Sequence, residues 1–287
     1  MKGKKNNIAV TKASGKVEPF SIKKLSQSLA RAKATTDEIN SIVESLIPKL
    51  YKGISTQKIY SEAFRLLRNQ SKNHAGRYYL KRGIMELGPS GFPFETFIGE
   101  LFKHQGYKVQ VGNIVQGQCV IHEIDVIAEK ENQLNLMECK YKNQPGIAID
   151  VKIPLYIQSR FEDVLENKLL GYSDREFKGW VVTNSKFTSD AIAYGSCKGL
   201  QLLGWDYPVN NSLQNWIDRT GLYPLTCLTS LTRTEKEWLL SKGYVLVKDI
   251  YNNKRLLLKA GVKETRIKAV MDEGQQLCNK LLINGHS

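Results

Sequence analysis

Charged side chains interrupt two apolar segments near the middle of the chain, and this constrains the fold more than any other feature. Asp125 lies within the apolar residues 124–128, and Glu138 and Lys140 flank Cys139 at the end of the second segment. That segment has apolar side chains on both faces of an extended chain, which predicts an interior strand. Alternation places Glu138 and Lys140 on one face of it. Because an unpaired buried charge costs several kcal/mol, the cluster either forms internal ion pairs or holds a metal ion.

Helical and extended patterns alternate around this charged cluster. Residues 94–102 follow the spacing of an amphipathic helix, with Glu95 at the edge of its apolar face. Further strands are predicted near residues 107–111, 179–183 and 200–203, and helices near 155–168 and 189–197. This order of strand, helix and strand implies a crossover and a mixed sheet covered by helices on both sides.

The two flanks of this region are predicted to be mainly helical. Near the N-terminus, a hairpin over residues 8–24 precedes four helical patterns, at 22–34, 39–51, 56–69 and 74–87. Near the C-terminus, Thr232 and Glu235 form a capping-box pattern, and a Leu-Leu-x-x-Gly sequence at 239–243 returns at 257–261, which predicts two helix-turn-helix units. The predicted fold class is a multidomain α/β protein. Its predicted segments are residues 1–89, 90–209, a linker at 210–224, and 225–287.

Charge is distributed unevenly among these segments. Residues 1–90 carry 18 basic and 6 acidic side chains (net +12), residues 91–209 carry 12 and 15 (net −3), and residues 210–287 carry 12 and 7 (net +5). A basic patch can simply solvate the surface, but an acidic segment between basic flanks favours metal binding at the centre and a polyanionic partner such as nucleic acid.

Cysteine usage and hydropathy indicate a cytoplasmic protein without a membrane partner. The five cysteines are scattered and form no CxxC pair, which argues against a disulfide framework and a structural zinc site. No apolar run approaches the roughly 20 residues that a membrane-spanning helix needs.

Several ordered motifs in the middle segment resemble those of the PD-(D/E)XK nucleases, and among them the Mrr-like restriction endonucleases. The matching sequences are Phe94-Glu95, Gly106-Tyr107-Lys108-Val109, Ile124-Asp125-Val126-Ile127, Glu138-Cys139-Lys140-Tyr141 and Val181-Val182-Thr183-Asn184-Ser185, within residues 91–207. The resemblance implies that Asp125 and Glu138 hold Mg²⁺, with the backbone carbonyl of Cys139 as a further ligand. It implies that Lys140 positions or activates the attacking water, and that Glu95 is an acid near the metal.

Phosphodiester hydrolysis gives a chemical reason for such a cluster. A site for this reaction must neutralise charge, lower the pKa of a water and stabilise the leaving oxygen, which Mg²⁺ and a nearby lysine can do. The alternative is a buried structural ion pair between Lys140 and one of the acids. His122-Glu123 does not form a zinc-protease motif, since the fourth residue after His122 is Val126.

Residues 8–86 resemble the ATP-cone, a regulatory nucleotide-binding module. The motifs are Val10-Thr11-Lys12, Val17-Glu18-Pro19-Phe20, Gly53-Ile54-Ser55-Thr56 and Ala75-x-x-Tyr78-Tyr79-Leu80-x-Arg82. The resemblance implies that Val10, Lys12, Glu18, Lys24, Thr56 and Tyr60 surround ATP or dATP. Ala13 replaces the family's usual arginine and Tyr60 a frequent histidine, and no Walker A pattern occurs, so the nucleotide would be sensed rather than hydrolysed. The alternative is a basic helical domain that grips DNA without a nucleotide.

Residues 225–287 resemble a tandem helix-hairpin-helix module, which binds the DNA backbone without reading sequence. Gly261, Val262, Lys263 and Arg266 would contact DNA in the second hairpin, where a glycine turn and free backbone N–H groups can approach a phosphate. The alternative is a small helical domain that serves packing or dimerisation.

Together these features predict a Mg²⁺-dependent endonuclease that acts on double-stranded DNA, of restriction or repair type, regulated by ATP or dATP. Cutting both strands usually needs two sites, so a homo-oligomer is expected. The alternative function is a non-catalytic, nucleotide-responsive DNA-binding protein that uses the nuclease fold as a scaffold.

Overall fold

The computed structural model describes residues 8–172 and 175–278, which form two compact units. The terminal unit contains the described residues up to 83 together with residues 225–236 and 247–278. The central unit contains residues 84–224 and 237–246. The predicted N- and C-terminal segments thus belong largely to one unit. The predicted boundaries themselves stay predictions, and residues 1–7, 173–174 and 279–287 lie outside the described residues.

The elements alternate along the chain much as the sequence predicts. The strands are β1 (Ala9–Thr11), β2 (Val17–Pro19), β3 (Ile54–Ser55), β4 (Lys108–Gln116), β5 (Ile121–Lys130), β6 (Gln133–Lys140), β7 (Ala148–Ile149), β8 (Glu176–Thr183), β9 (Lys186–Phe187) and β10 (Gln201–Leu203). The helices are α1 (Ile22–Arg31), α2 (Thr36–Leu46), α3 (Thr56–Gln70), α4 (Lys72–Tyr78), α5 (Leu80–Met85), α6 (Phe92–His104), α7 (Lys152–Glu166), α8 (Ser189–Lys198), α9 (Leu213–Thr220), α10 (Arg233–Ser241), α11 (Lys254–Lys259) and α12 (Glu264–Cys278).

The N-terminal part of the terminal unit combines a small sheet with a helical core. β1 and β2 form the predicted hairpin, in which Val10 faces Glu18 and Gly15 turns the chain at a φ of +80°. β3 adds to β1 in parallel, a pairing the sequence did not predict because its two residues show no alternation. Side-chain caps start α1 to α4, as the serine and threonine residues before each helix favour.

The C-terminal part of the terminal unit contains the predicted second hairpin and the predicted capping box. Glu235 accepts a hydrogen bond from the Thr232 amide at 2.7 Å, and its own amide donates to the Thr232 hydroxyl at 3.3 Å. Between α11 and α12 the chain turns at Gly261, whose φ is +86°. A side chain at this position would be strained, which explains the glycine.

The central unit is built around a five-stranded sheet in the order β10-β8-β6-β5-β4. β6 lies in the middle, parallel to β8 and antiparallel to β5. Leu134, Leu136 and Met137 are fully buried, which confirms the predicted interior strand. Residues of α7 and α8 pack with this sheet in one apolar core. The predicted fold class, helical flanks around a mixed sheet with helices, is confirmed. No described helix combines the length and apolar character that crossing a membrane requires.

Candidate active site and nucleotide pocket

The predicted acids come together where the pairing of β5 with β6 stops, in the middle of β5 and near the end of β6. The ladder between these strands stops at the pair Val126 and Met137. One step further in the same register, Asp125 would face Glu138, and residues opposed across an antiparallel pair share a face of the sheet. In place of a ladder hydrogen bond, the Cys139 amide donates to Asp125 Oδ2 at 2.6 Å. The side chain thus ends the pairing of the backbone and fixes one carboxylate oxygen.

Glu138 is the most deeply buried charge of the cluster. Its side chain is only 3% exposed, and each of its two oxygens is paired with a cation. Lys140 Nζ contacts Oε1 and Arg160 Nη1 contacts Oε2. The predicted acid and lysine therefore do meet, and the ion pair offered as a structural alternative is present in this state of the site.

Arg160 is the site residue that the sequence analysis missed. It reaches the strand ends from α7, where its guanidinium also donates to the Glu123 carbonyl at 3.1 Å and to the Tyr156 hydroxyl at 2.6 Å. Its guanidinium carbon lies 4.8 Å from the centre of the Tyr156 ring. The available signal was a tyrosine and an arginine four residues apart on a predicted helix, since residues at that spacing are neighbours on the helix surface.

Burial, together with the charges of neighbouring carboxylates, raises the pKa values of two acids in the cluster. Burial raises the pKa of Glu95 to about 7, and the charges of Asp125, Glu123 and Glu138 add to this effect. Burial also raises the pKa of Asp125 to about 6, helped by the charge of Glu138, although the Cys139 amide opposes the shift. Glu95 thus lies within electrostatic reach of the cluster, and both acids exchange protons near neutral pH.

The donor set fits a hard divalent cation. Asp125, Glu138 and the backbone carbonyl of Cys139 offer the oxygen ligands that Mg²⁺ prefers, and a cation would offset both the burial and the repulsion that raise the pKa values of Glu95 and Asp125. Within residues 8–172 and 175–278, no three Asp, Glu, His or Cys side chains converge closely enough to hold a metal ion. Mg²⁺ is commonly held by one or two carboxylates, with water and substrate phosphate completing its shell.

A cleft of about 520 Å³ opens beside Lys140. The loop that follows β6 forms one wall, and Asn184 fixes this loop by accepting from the Lys142 amide at 2.8 Å and donating to the Lys142 carbonyl at 2.7 Å. Lys140 and Lys142 both line the cleft. The cleft therefore offers two positive charges to an anionic chain, one of them on the lysine that contacts Glu138.

A second cavity, in the terminal unit, contains most of the predicted nucleotide-binding residues. Five of the six line it, namely Val10, Glu18, Lys24, Thr56 and Tyr60. The sixth, Lys12, contacts Glu18 at 2.7 Å, and Lys24 contacts the same acid at 3.2 Å. The cavity measures about 180 Å³. Pockets that enclose a drug-sized ligand measure about 300–1,000 Å³, so this one can enclose only part of a nucleotide and would leave the phosphates outside, beside the lysines.

Aromatic stacking forms the inner wall of that cavity. Tyr60 and Tyr78 stack with ring centres 4.9 Å apart, and the Tyr60 hydroxyl donates to the Tyr78 carbonyl at 3.1 Å. Burial raises the pKa of Tyr60 well above its ordinary range, so the phenol stays neutral. The wall offers an apolar surface on which a base could stack.

The four residues predicted to bind DNA lie at the second hairpin, in different environments. Val262 is 2% exposed, so its side chain faces the interior. Arg266 forms a pair of hydrogen bonds with Glu235, at 2.6 and 3.1 Å, and also contacts the Ser230 carbonyl. This ion pair accounts for Arg266 without DNA. Gly261 and Lys263 lie in the turn itself, and a DNA contact by any of the four stays a prediction.

His122 has a structural partner, in agreement with the rejection of a zinc-protease motif. Its Nε2 lies 2.6 Å from Asp163 Oδ2, and Asp163 also accepts from the amides of Cys119 and Val120. These interactions, led by the one with His122, lower the pKa of Asp163 to about 2. They fix the turn before β5.

Three family models match the chain. An ATP cone domain matches residues 8–80, a restriction endonuclease matches residues 88–206, and the AF1548-like C-terminal domain matches residues 223–278. The first two agree with the resemblances seen in the sequence, and the third covers the segment with the predicted hairpins.

Individual proteins match the larger part of the chain. An uncharacterized protein of Archaeoglobus fulgidus is 31% identical over 184 residues, which are 63% of this chain and 99% of the relative. The crystal structure of AF1548, a protein of unknown function, is 28% identical with a TM-score of 0.55, and covers 66% of this chain and 98% of its own. The MspJI restriction endonuclease in complex with a 27-mer oligonucleotide is 13% identical, with a TM-score of 0.33, over 68% of this chain and 40% of its own. That last likeness is too slight to support an inference.

Proposed function

Because the chain belongs to the AF1548-like family and joins a restriction endonuclease domain to an ATP cone, we propose that it is a Mg²⁺-dependent DNA endonuclease controlled by ATP or dATP. One observation carries the proposal. Asp125, Glu138 and Lys140 meet at the open end of the central strand pair, beside a basic cleft and in a domain of nuclease type.

Each residue of the site has a distinct task in this proposal. A bound divalent cation would lower the pKa of a water and neutralise the phosphate. Asp125 and Glu138 supply the negative charge and oxygen ligands that hold it, with the carbonyl of Cys139. Lys140 places a positive charge where it can orient the attacking water or a phosphate oxygen.

Glu95 has the protonation behaviour of an acid–base group. With a pKa of about 7 it exists in both forms at neutral pH. A group with such a pKa can accept a proton from water or return one to the leaving oxygen at little cost. We assign to Glu95 this exchange of a proton with the reacting groups.

The ATP cone would act as a sensor. Glu18 holds both lysines of the pocket in ion pairs, and the phosphates of a nucleotide would compete with Glu18 for them. ATP and dATP share these phosphates and the base that the tyrosine wall would stack, so both are candidates.

Cleavage of DNA with and without Mg²⁺ tests the proposed activity. Plasmid, branched, modified and single-stranded DNA should be incubated with the protein in Mg²⁺ and in EDTA. We expect nicking or cutting in Mg²⁺ but not in EDTA. Asp125→Ala and Lys140→Ala should abolish it, and unchanged circular dichroism should show that these variants are folded. A wild-type protein inert on every substrate would reject the activity.

A non-catalytic role is the second candidate, and one observation favours it. Both oxygens of Glu138 are already paired with cations, as in a structural ion pair. If the nuclease fold is only a scaffold, the protein should bind DNA in a nucleotide-dependent and strongly salt-dependent manner, without Mg²⁺ and without cleavage. Cleavage that is lost in Glu138→Ala would exclude this candidate.

A further inference from the structure

The two cations that pair with Glu138 are held very differently. Arg160 is 14% exposed and has the Glu123 carbonyl at 3.1 Å, the Tyr156 hydroxyl at 2.6 Å and the Tyr156 ring as further contacts. Lys140 is 31% exposed, contacts Glu138 and also lines the cleft. If Glu138 served as a metal ligand, Lys140 would be the partner to release it, because Lys140 is the more exposed of the two cations.

We propose that Arg160 is a positioning residue of the nuclease site, one that keeps Glu138 oriented while Lys140 leaves that carboxylate and turns to the substrate. The inference rests on the proposed nuclease function and adds a residue to it. In this arrangement Glu138 would keep its contact with Arg160, and the oxygen now paired with Lys140 would be available as a metal ligand beside Asp125.

The geometry of arginine suits this task better than that of lysine. A planar guanidinium can hold a carboxylate, a carbonyl and a hydroxyl at once, whereas an ammonium group on a flexible stem fixes no plane. Arg160 Nε is buried without a hydrogen-bond partner among the described residues. An unsatisfied buried donor lowers the stability of a fold. The position of Arg160 is therefore better explained by its contact with Glu138 than by a contribution to folding stability.

The chain offers a matched control in Arg175. It contacts Glu129 on β5, and donates to the carbonyls of Glu131 and Gln133 at 3.1 Å each. Like Arg160, Arg175 joins a carboxylate to backbone carbonyls, although its acid is more exposed than Glu138, with 31% against 3% of the side chain accessible. Arg160→Met and Arg175→Met each remove one arginine–carboxylate pair, but only Arg160 touches the candidate site.

Calorimetric titration of Mg²⁺ into the full chain, without DNA, tests the proposal directly. We expect Arg160→Met to bind Mg²⁺ about 10–100-fold more weakly than wild type, the usual effect of removing a partner that orients a metal ligand. Cleavage should lose kcat by a similar factor with little change in KM for DNA. Arg175→Met should match wild type, and Arg160→Lys should recover part of the affinity because it keeps the charge.

The possible results separate this inference from the function on which it rests. Equal Mg²⁺ affinity and kcat in the two methionine variants would overturn the role of Arg160, as would tighter Mg²⁺ binding by Arg160→Met. A wild-type protein that neither binds Mg²⁺ nor cuts DNA would reject the nuclease function itself. Should Arg160→Met fail to fold, Arg160→Lys carries the test: wild-type kcat and Mg²⁺ affinity would overturn the proposal.

A separate observation concerns α4, which connects the nucleotide pocket to the C-terminal domain within the terminal unit. Tyr78 of this helix lines the pocket. On the same helix, Arg77 donates to the Leu277 carbonyl at 3.1 Å, and a Cβ on Gly76 would lie 3.3 Å from the Cys227 carbonyl. Because α4 packs this closely at Gly76, we expect a shift of Tyr78 to reach the residues packed against Gly76.

Contacts beyond α4 bind the same two regions together. The Thr226 hydroxyl donates to the Gly83 carbonyl at 2.6 Å, and Lys236 Nζ lies 5.6 Å from the centre of the Tyr79 ring. Arg68 of α3 donates to the Thr229 carbonyl at 3.0 Å. Backbone carbonyls accept these hydrogen bonds, so the contact depends on the positions of the main chain on both sides.

We infer that nucleotide binding in the pocket stabilises residues 225–236 and α12, so that the nucleotide acts on the predicted DNA-gripping domain. The physical basis is linkage. A ligand that orders the Tyr60–Tyr78 wall reduces the local opening of whatever packs on α4. The inference rests on the proposed binding of ATP to the cone.

Hydrogen exchange of the full chain with and without ATP tests this coupling. We expect slower exchange in peptides from the pocket and also in residues 225–236 and 264–278, with both effects requiring about 5–10-fold more ATP in Lys24→Met. Arg77→Met should keep protection at the pocket and lose part of it in α12. Protection confined to the pocket would overturn the coupling alone, whereas no protection anywhere would reject nucleotide binding as well.

Discussion

Replacing Asp125 with asparagine should make the metal-free central unit more stable at neutral pH, at the expense of metal binding. The pKa of Asp125 is raised from 3.8 to about 6 by burial and by the charge of Glu138. A folded pKa above the unfolded value means that the folded state holds its proton more tightly, so stability falls as pH rises from about 4 to about 6. Above that range the full penalty applies.

The magnitude follows from the shift. One pKa unit corresponds to 1.36 kcal/mol, so the penalty is roughly 3 kcal/mol at pH 7.5 and close to zero near pH 3.5. An asparagine carries no charge and can still accept the hydrogen bond from the Cys139 amide. We therefore expect Asp125→Asn to raise the unfolding free energy of the metal-free unit by up to about 3 kcal/mol at pH 7.5.

Tryptophan fluorescence reports on the unit in question. The four tryptophans of the chain are Trp180, Trp205, Trp216 and Trp238, and all four lie in the central unit. Urea unfolding followed by their emission should be recorded at pH 7.5 and pH 4, in EDTA and in Mg²⁺. Wild type should be stabilised by Mg²⁺, by about 1.4 kcal/mol when the concentration is about tenfold above Kd, and Asp125→Asn should not.

Two results would refute this reasoning. Asp125→Asn could prove less stable than wild type in EDTA at pH 7.5, which would mean that the ionised carboxylate stabilises the folded state and does not destabilise it. Alternatively, the difference between the two proteins could be the same at pH 4 and pH 7.5, which would mean that it does not arise from ionisation.

Three further predictions concern other parts of the molecule. Lys24→Met should weaken ATP binding about 5–10-fold, the loss of one exposed charge contact of about 1 kcal/mol, while Lys23→Met, at a position that is also exposed, should not; equal calorimetric affinities of the two variants would exclude Lys24 from the nucleotide site. Asp163→Asn should destabilise the central unit at neutral pH and lose its effect as pH falls from about 4 to about 2, because the partner His122 holds the pKa of Asp163 at about 2; a pH-independent difference in urea midpoint would contradict this. The predicted homo-oligomer should appear in light scattering, and a monomeric mass both with and without ATP would rule it out.

The sequence predicted those parts of the site that depend on local pattern. Leu134, Leu136 and Met137 identified an interior strand because burial on both faces leaves no polar alternation. The pairing of Glu138 with Lys140 followed from the period of two along that strand.

Other features of the site and the fold depend on contacts between segments that are distant in the sequence, and no local sequence pattern predicts such contacts. Arg160 meets Glu138 across 22 positions and through a helix whose rotation about its axis is set by the packed core. The short β3 pairs with β1 although its two residues show no alternation. The shared unit of N- and C-terminal residues depends on contacts such as that of Arg68 with Thr229, 161 positions apart. Hydrophobic periodicity reports which face of an element is buried, and not which element covers it.

The rate of DNA cleavage in saturating Mg²⁺, compared between wild type, Lys140→Met and Lys142→Met, tests the central claim most directly. Both lysines line the same cleft, but only Lys140 contacts Glu138. We predict Mg²⁺-dependent cleavage by wild type, a loss of about 10²–10⁴-fold in kcat for Lys140→Met, as expected for a group that acts on the reacting atoms, and no more than a modest rise in KM for Lys142→Met. Cleavage that persists in Lys140→Met, or that is equally impaired in both variants, would contradict the assignment of the active site.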